Sequence, residues 1–136
     1  MAAVHHANLA GNYSVLRDLS ATGFQVRNDS ATLAQIFASL RQSGIDLSNT
    51  LLLTPTFSVP PRMLSPTVIQ LRGFFGLRPT AIAFDLVYEW QAGRWRLYGV
   101  SIAPASLAQI QPAGTPPIAT PVAKPPPPPA SRPRKN

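Results

Sequence analysis

Asp85 is the carboxylate best placed to work as a base. It falls inside an extended run between Phe84 and Leu86, and apolar neighbours raise a carboxyl's pKa toward the range useful for proton abstraction. A plainer reading of the same residue is a pair with an arginine such as Arg72, or a place in solvent. His5 and His6 are adjacent, and adjacent residues on a helix do not face the same way. A metal site would want i, i+4 spacing and further ligands, so the two histidines are expected on the surface, with no metal and no cofactor.

Tyr88, Trp90, Trp95 and Tyr98 form a second constellation. Aromatic side chains so grouped can line a pocket for a small apolar ligand or stack on bases, and at cross-strand positions they also serve as core. Arg94, Arg96 and Glu89 beside them are expected to make a solvated hairpin end. The chain contains no Gly-x-Ser-x-Gly, no phosphate loop and no Gly-x-Gly-x-x-Gly, the motifs that would announce hydrolase or nucleotide chemistry. It also has no cysteine, which rules out disulfides, thiolate nucleophiles and cysteine-bound zinc or iron–sulfur centres.

The elements that must hold these residues follow from periodicity. Met1 to Leu19 reads as helix, jogged at Gly11-Asn12, with Asn12 able to cap the run from Tyr13. Gly23 marks a stop, and Phe24 to Val26 alternates as a short extended link. Asn28-Asp29-Ser30 offers caps before Leu33, Ile36, Phe37, Leu40 and Ile45, one apolar face of a helix that ends at Gly44. Asp46 to Asn49 is a turn. Strands are then expected over 51–59, interrupted by Pro55, over 67–75, over 81–90 and over 94–102.

A turn centred on Ala92-Gly93 would set Trp90 opposite Trp95 and Glu89 opposite Arg96. With uninterrupted alternation, Phe84, Leu86, Tyr88 and Trp90 then share a face with Trp95 and Leu97, suited to packing on helices. Ala83, Asp85, Val87 and Glu89 share the other with Arg96, Tyr98, Val100 and Ile102. That second face is mixed, and a large exposed apolar patch invites a partner. A homodimer through it is the expectation, with Asp85 at its rim.

After Gln111 the composition changes. Ten of the sixteen prolines lie there, with five consecutive at 125–129, and such a segment favours polyproline II without a packed partner. The expectation is a domain over 1–105 and a disordered basic proline-rich tail over 106–136. Lys124, Arg132, Arg134 and Lys135 supply four of the seven net positive charges, leaving a body whose arginines are scattered singly. A nucleic-acid interface would show a basic stripe interleaved with aromatics, so no specific nucleic-acid partner is expected. The tail could instead offer a ligand for a proline-binding groove or touch an anionic surface. No stretch approaches the ~18 apolar residues of a membrane span, and Met1-Ala-Ala-Val lacks the charged start and long apolar run expected of a signal peptide.

Helices followed by long antiparallel strands that end in the hairpin Asp85-Leu-Val-Tyr-Glu-Trp-Gln-Ala-Gly-Arg-Trp-Arg-Leu-Tyr-Gly-Val-Ser-Ile102 resemble the nuclear transport factor 2-like, or cystatin-like, superfamily. Gly11-Asn-Tyr-Ser-Val-Leu-Arg-Asp-Leu, Ala34-Gln-Ile-Phe-Ala-Ser-Leu-Arg and Leu51-Leu-Leu-Thr-Pro are similar to uncharacterised bacterial members, and the likeness spans about residues 7 to 103. The resemblance implies an α+β fold, N-terminal helices on a curved antiparallel sheet of about four strands that makes a cone with a pocket, and frequent dimers through the sheet.

Superfamily enzymes such as scytalone dehydratase or polyketide cyclases pair an Asp with a His. This chain has no histidine beyond residue 6. The expected function is therefore a non-enzymatic binding or interaction module, dimeric or holding a small apolar ligand. The alternative is an isomerase- or dehydratase-type enzyme with Asp85 as general base, which needs Asp85 in a closed cavity beside a second polar group. The first helix is short for the superfamily, so an export signal upstream, and a periplasmic or exported protein, would explain the abrupt start.

Overall fold

A computed structural model describes residues 1–106, 108–110 and 112. The proposed tail lies almost wholly outside these described residues. Five short helices come first: α1 (Ala2–Ala10), α2 (Ser14–Asp18), α3 (Thr22–Arg27), α4 (Ser30–Ile36) and α5 (Ala38–Gln42). A 3-10 turn over Leu47–Leu51 leads into five strands, β1 (Thr56–Phe57), β2 (Arg62–Ser65), β3 (Val68–Phe75), β4 (Ala81–Gln91) and β5 (Arg94–Ala105). The strands form one antiparallel sheet in the order β1-β3-β4-β5, with β2 also paired to β3. The fold is α+β, as expected.

Local chemistry accounts for the helix boundaries. Gly11 ends α1 in the left-handed conformation, and the Asn12 side chain accepts from the Ser14 backbone N–H at 3.0 Å. Asp29 caps α4 by accepting from the Thr32 N–H at 2.7 Å, a charge-assisted bond that holds its pKa below the ordinary carboxylate value. Asp46 does the same for the Ser48 N–H at the 3-10 turn.

Four expectations about elements are corrected. The link at Phe24 is helical: Ala21 is extended and its carbonyl accepts from Phe24 and Gln25, so Phe24 enters the core. The helix from Ser30 breaks at Phe37, which divides α4 from α5. The strand expected over 51–59 shrinks to Thr56–Phe57, because the chain leaves the 3-10 turn only after Leu51 and Pro55 cannot donate to a ladder. Arg62–Ser65, read as a connection, pairs with β3 as an added short strand.

The core gathers Val4, Ala7, Tyr13, Leu16, Phe24, Leu33, Phe37, Leu40 and Leu47 from the helical half with Ile82 from β4, and Leu97, Val100 and Ile102 of β5 pack against it. Tyr13 is fully buried and stacks on Phe37, with ring centroids 5.5 Å apart. Its hydroxyl donates to Asn8 Oδ1 and accepts from Arg41 Nη1 at 2.6 Å, so no buried polar cost is left there. Gly73 allows β1 and β3 to approach closely. A Cβ at that position would fall on the Thr56 carbonyl and the Phe84 ring.

Candidate functional site

Register decides which side chains meet, since directly opposed residues share a face and neighbours alternate. The hairpin turn places Ala92 and Gly93 at positive φ, 49° and 77°, and sets Trp90 opposite Trp95 and Glu89 opposite Arg96 as expected. Between Val87 and Tyr88 the ladder shifts: Tyr88 opposes Leu97 while Val87 opposes Gly99. Tyr98 is thus an extra residue on β5, a β-bulge, and every β5 residue beyond it changes face.

The bulge overturns the expected face assignment. Val100 opposes Leu86 and Ile102 opposes Phe84, so both lie on the Ile82 face and pack against the helical core. They do not join Asp85. Ser101, Gly99 and Ala103 stand there instead, opposite Asp85, Val87 and Ala83. The contiguous apolar patch on which a dimer through the Asp85 face was expected is therefore not formed.

Asp85 opposes Arg72 on β3. Arg72 Nε donates to Asp85 Oδ2 at 2.6 Å, and Gln70 Nε2 lies 2.8 and 3.1 Å from the two carboxylate oxygens. Both oxygens are occupied by protein donors, the plainer of the two readings. The depression they border, about 640 Å³, also involves Ser58, Ser101, Ala108 and Gln109, and opens broadly to solvent. His5 sits on α1 with Nδ1 3.8 Å from Asp46 Oδ1. No group of three or more metal-ligating side chains occurs among the described residues.

The aromatic constellation divides at the bulge. Tyr98 turns to α3: its hydroxyl accepts from Arg27 Nη1 at 3.0 Å, and the Arg27 guanidinium carbon lies 4.5 Å from the ring centroid. The Ala21 N–H bonds the Leu97 carbonyl at 2.8 Å and pins the helical layer to this edge of β5. Tyr88, Trp90 and Trp95 stay together on the Ile82 face. Trp90 and Trp95 meet edge to face at 5.3 Å, and they remain 45% and 43% exposed. They are not core.

What lies beside them was not read from the sequence. The helices cover the β4–β5 side of the Ile82 face and stop short of β3. Ile69, Leu71, Tyr88 and Trp95 line a cleft of about 300 Å³ there. A narrower cleft of about 170 Å³ runs on beneath the helices, between Met1, Val4 and Leu19 on one side and Leu86, Tyr88 and Trp95 on the other. Tyr88 and Trp95 border both the open cleft and the roofed one. Burial raises the Tyr88 hydroxyl pKa. Ile69 and Leu71 were visible as apolar strand residues, but only the β3–β4 register brings them opposite Tyr88 and Leu86.

Compared with family models, curated proteins and solved structures, the chain shows no significant match to any of them. The chemistry of the site rests on its own geometry. Among the described residues no helix is long and apolar enough to cross a membrane.

Proposed function

We propose that this domain is a binding module of the nuclear transport factor 2-like kind that holds a small apolar ligand in the groove between Ile69, Leu71, Tyr88 and Trp95. One observation carries the reading: half-exposed Trp95, in edge contact with Trp90, stands at a mostly apolar groove that the protein's own helices leave partly unroofed. The open cleft is at the low end of ligand-site volumes, ~300–1,000 Å³, and sites of this kind are mostly apolar with few polar groups. The Tyr88 hydroxyl supplies one such group. The enzyme alternative finds less support, because Asp85 faces away from this groove and its oxygens are taken by Arg72 and Gln70.

Titration with a neutral apolar fluorophore tests the reading. Quenching of Trp90 and Trp95 should report saturable binding, and Trp95→Ala, which removes a half-exposed side chain, should weaken it by about tenfold or more, equivalent to ~1.4 kcal/mol. Equal binding by wild type and Trp95→Ala would overturn it. Sedimentation of the free protein separates the remaining outcome: a dimer that dissociates as the fluorophore binds would give the groove to a second copy.

A further inference from the structure

The Asp85 face of the sheet carries two arginines in one depression. Strands β1 and β2 lie on the same flank of β3, with the Ser58 N–H bonded to the Arg72 carbonyl at 3.0 Å and Arg62 opposite Gln70. Opposed residues share a face, as do residues two apart on a strand, so Arg62, Gln70 and Arg72 all stand with Asp85. Arg62 and Arg72 are then diagonal neighbours, ~7–8 Å apart at the backbone and within mutual reach of long side chains. Together with Val59, Pro60, Pro61 and Gln70 they line a depression of about 420 Å³. We infer that Arg62 and Arg72 form a second binding site, which takes the carboxylate of a small organic acid whose apolar part lies against Val59, Pro60 and Pro61. It is on the opposite face of the sheet from the groove at Trp95 and does not depend on it.

Arg72 is held in a way that suits an oxyanion. Its Nε donates to Asp85 Oδ2 at 2.6 Å, while Gln70 Nε2 lies 2.8 and 3.1 Å from the two oxygens of the same carboxylate. The root of the guanidinium is thereby fixed. Nη1 and Nη2 have no protein partner among the described residues, and the side chain is 57% exposed. They leave a free edge of two parallel N–H donors, the geometry that grips a carboxylate in bidentate fashion. Arg62 is exposed and makes no ion pair among the described residues. An anion between the two arginines also relieves the repulsion of like charges that lie within a Debye length.

Charge and wall chemistry select the ligand. Two arginines stand against one carboxylate, Asp85, so the depression has one surplus positive charge, which a monocarboxylate balances and a phosphate monoester dianion exceeds. Glu89 is two residues beyond Val87, opposite Arg96, and is outside the depression. Pro60 and Pro61 have no backbone N–H to offer a polar ligand. With Val59 they reward an acid that has apolar surface to bury.

Benzoate is the probe, titrated at constant ionic strength into the isotope-labelled full chain. The backbone amides of Arg62 and Gln70 and the Arg72 Nε–H should shift saturably, and benzoate should bind about tenfold tighter than acetate, which lacks the apolar part. Arg62→Gln should weaken it about fivefold or more, and so should Arg72→Lys, which keeps the charge but loses the paired N–H edge. Arg62 is exposed on a short strand, so its variant keeps the test standing if Arg72→Lys disturbs the partner of Asp85. Equal benzoate affinity in wild type and Arg62→Gln would overturn the site. Shifts at Tyr88 and Trp95 in place of Arg62 and Gln70 would do the same and would leave the groove as the one ligand site. Acetate binding as tightly as benzoate would overturn the role of the apolar wall, and inorganic phosphate binding more tightly at the same residues would overturn the carboxylate.

Discussion

At Gly73 the absence of a side chain carries structural weight. Its Cα faces both the Thr56 carbonyl and the Phe84 ring, so Gly73→Ala should cost about 1–3 kcal/mol through overpacking, read as a fall in the urea midpoint. Tyr13 is the opposite case, a fully buried side chain whose hydroxyl joins Asn8 to Arg41. Trp95 lies between these extremes. A fully buried aromatic costs ~3–5 kcal/mol to truncate, but at 43% exposure Trp95→Ala should cost about 1–2 kcal/mol, which leaves the fold intact for binding measurements. Tyr88 adds a pH signature. Its hydroxyl pKa is raised by burial, so the folded state keeps the proton that the unfolded state releases near pH ~10. Its contribution is complete below that value and is lost as pH rises toward the folded pKa. Tyrosinate absorbance should show a late-titrating group that is absent in Tyr88→Phe, and a bound apolar ligand should delay it further.

At the scale of elements, the β4–β5 hairpin shows what the sequence disclosed and where it stopped. Ala92-Gly93 between alternating aromatic runs is a turn signal, and both the turn and the Trp90–Trp95 pair are where that signal puts them. Ala92 itself is ill-suited to φ 49°, since a left-handed residue with a Cβ is strained unless its side chain is Asn or Asp. Ala92→Asn should therefore stabilise by about 0.5–1 kcal/mol and raise the melting temperature by about 2–8 °C. The bulge at Tyr98 was not legible. Leu97-Tyr98-Gly99-Val100 alternates acceptably with either parity, and the choice is made by partners distant in sequence: Arg27 and Gly23, which receive the tyrosine, and Ala21, which bonds Leu97. Helix α3 was missed for a related reason. Phe24 and Val26 alternate as in a strand, but one is buried and the other 81% exposed on a single helical turn. The candidate site was half visible: its aromatic residues could be named, but the roof that stops short of β3 follows from how far the helices extend.

For the whole molecule, the parity change at Tyr98 moves the interior, and one pair of substitutions tests it. Without the bulge, Val100 would stand with Asp85 on a face available to a second copy, and a charge there would yield a folded monomer. With the bulge, Val100 opposes Leu86 and packs against the helical core. A carboxylate at that position would be pressed against the apolar core, and burying a charge there costs several kcal/mol even after the protein relaxes. That is comparable to the whole stability of a domain this size, ~5–15 kcal/mol. Val100→Asp should therefore lose its cooperative thermal transition. Val87 is the control. It opposes Gly99 on the Asp85 face, one pair along from Asp85 and two residues from Glu89, so Val87→Lys meets opposite charge and open solvent. It should melt within about 1 kcal/mol of wild type, the usual range for a surface change. If Val100→Asp instead folds and sediments as a smaller species than wild type while Val87→Lys is disrupted, the two faces are exchanged. The groove at Trp95 would then no longer share a wall with the core.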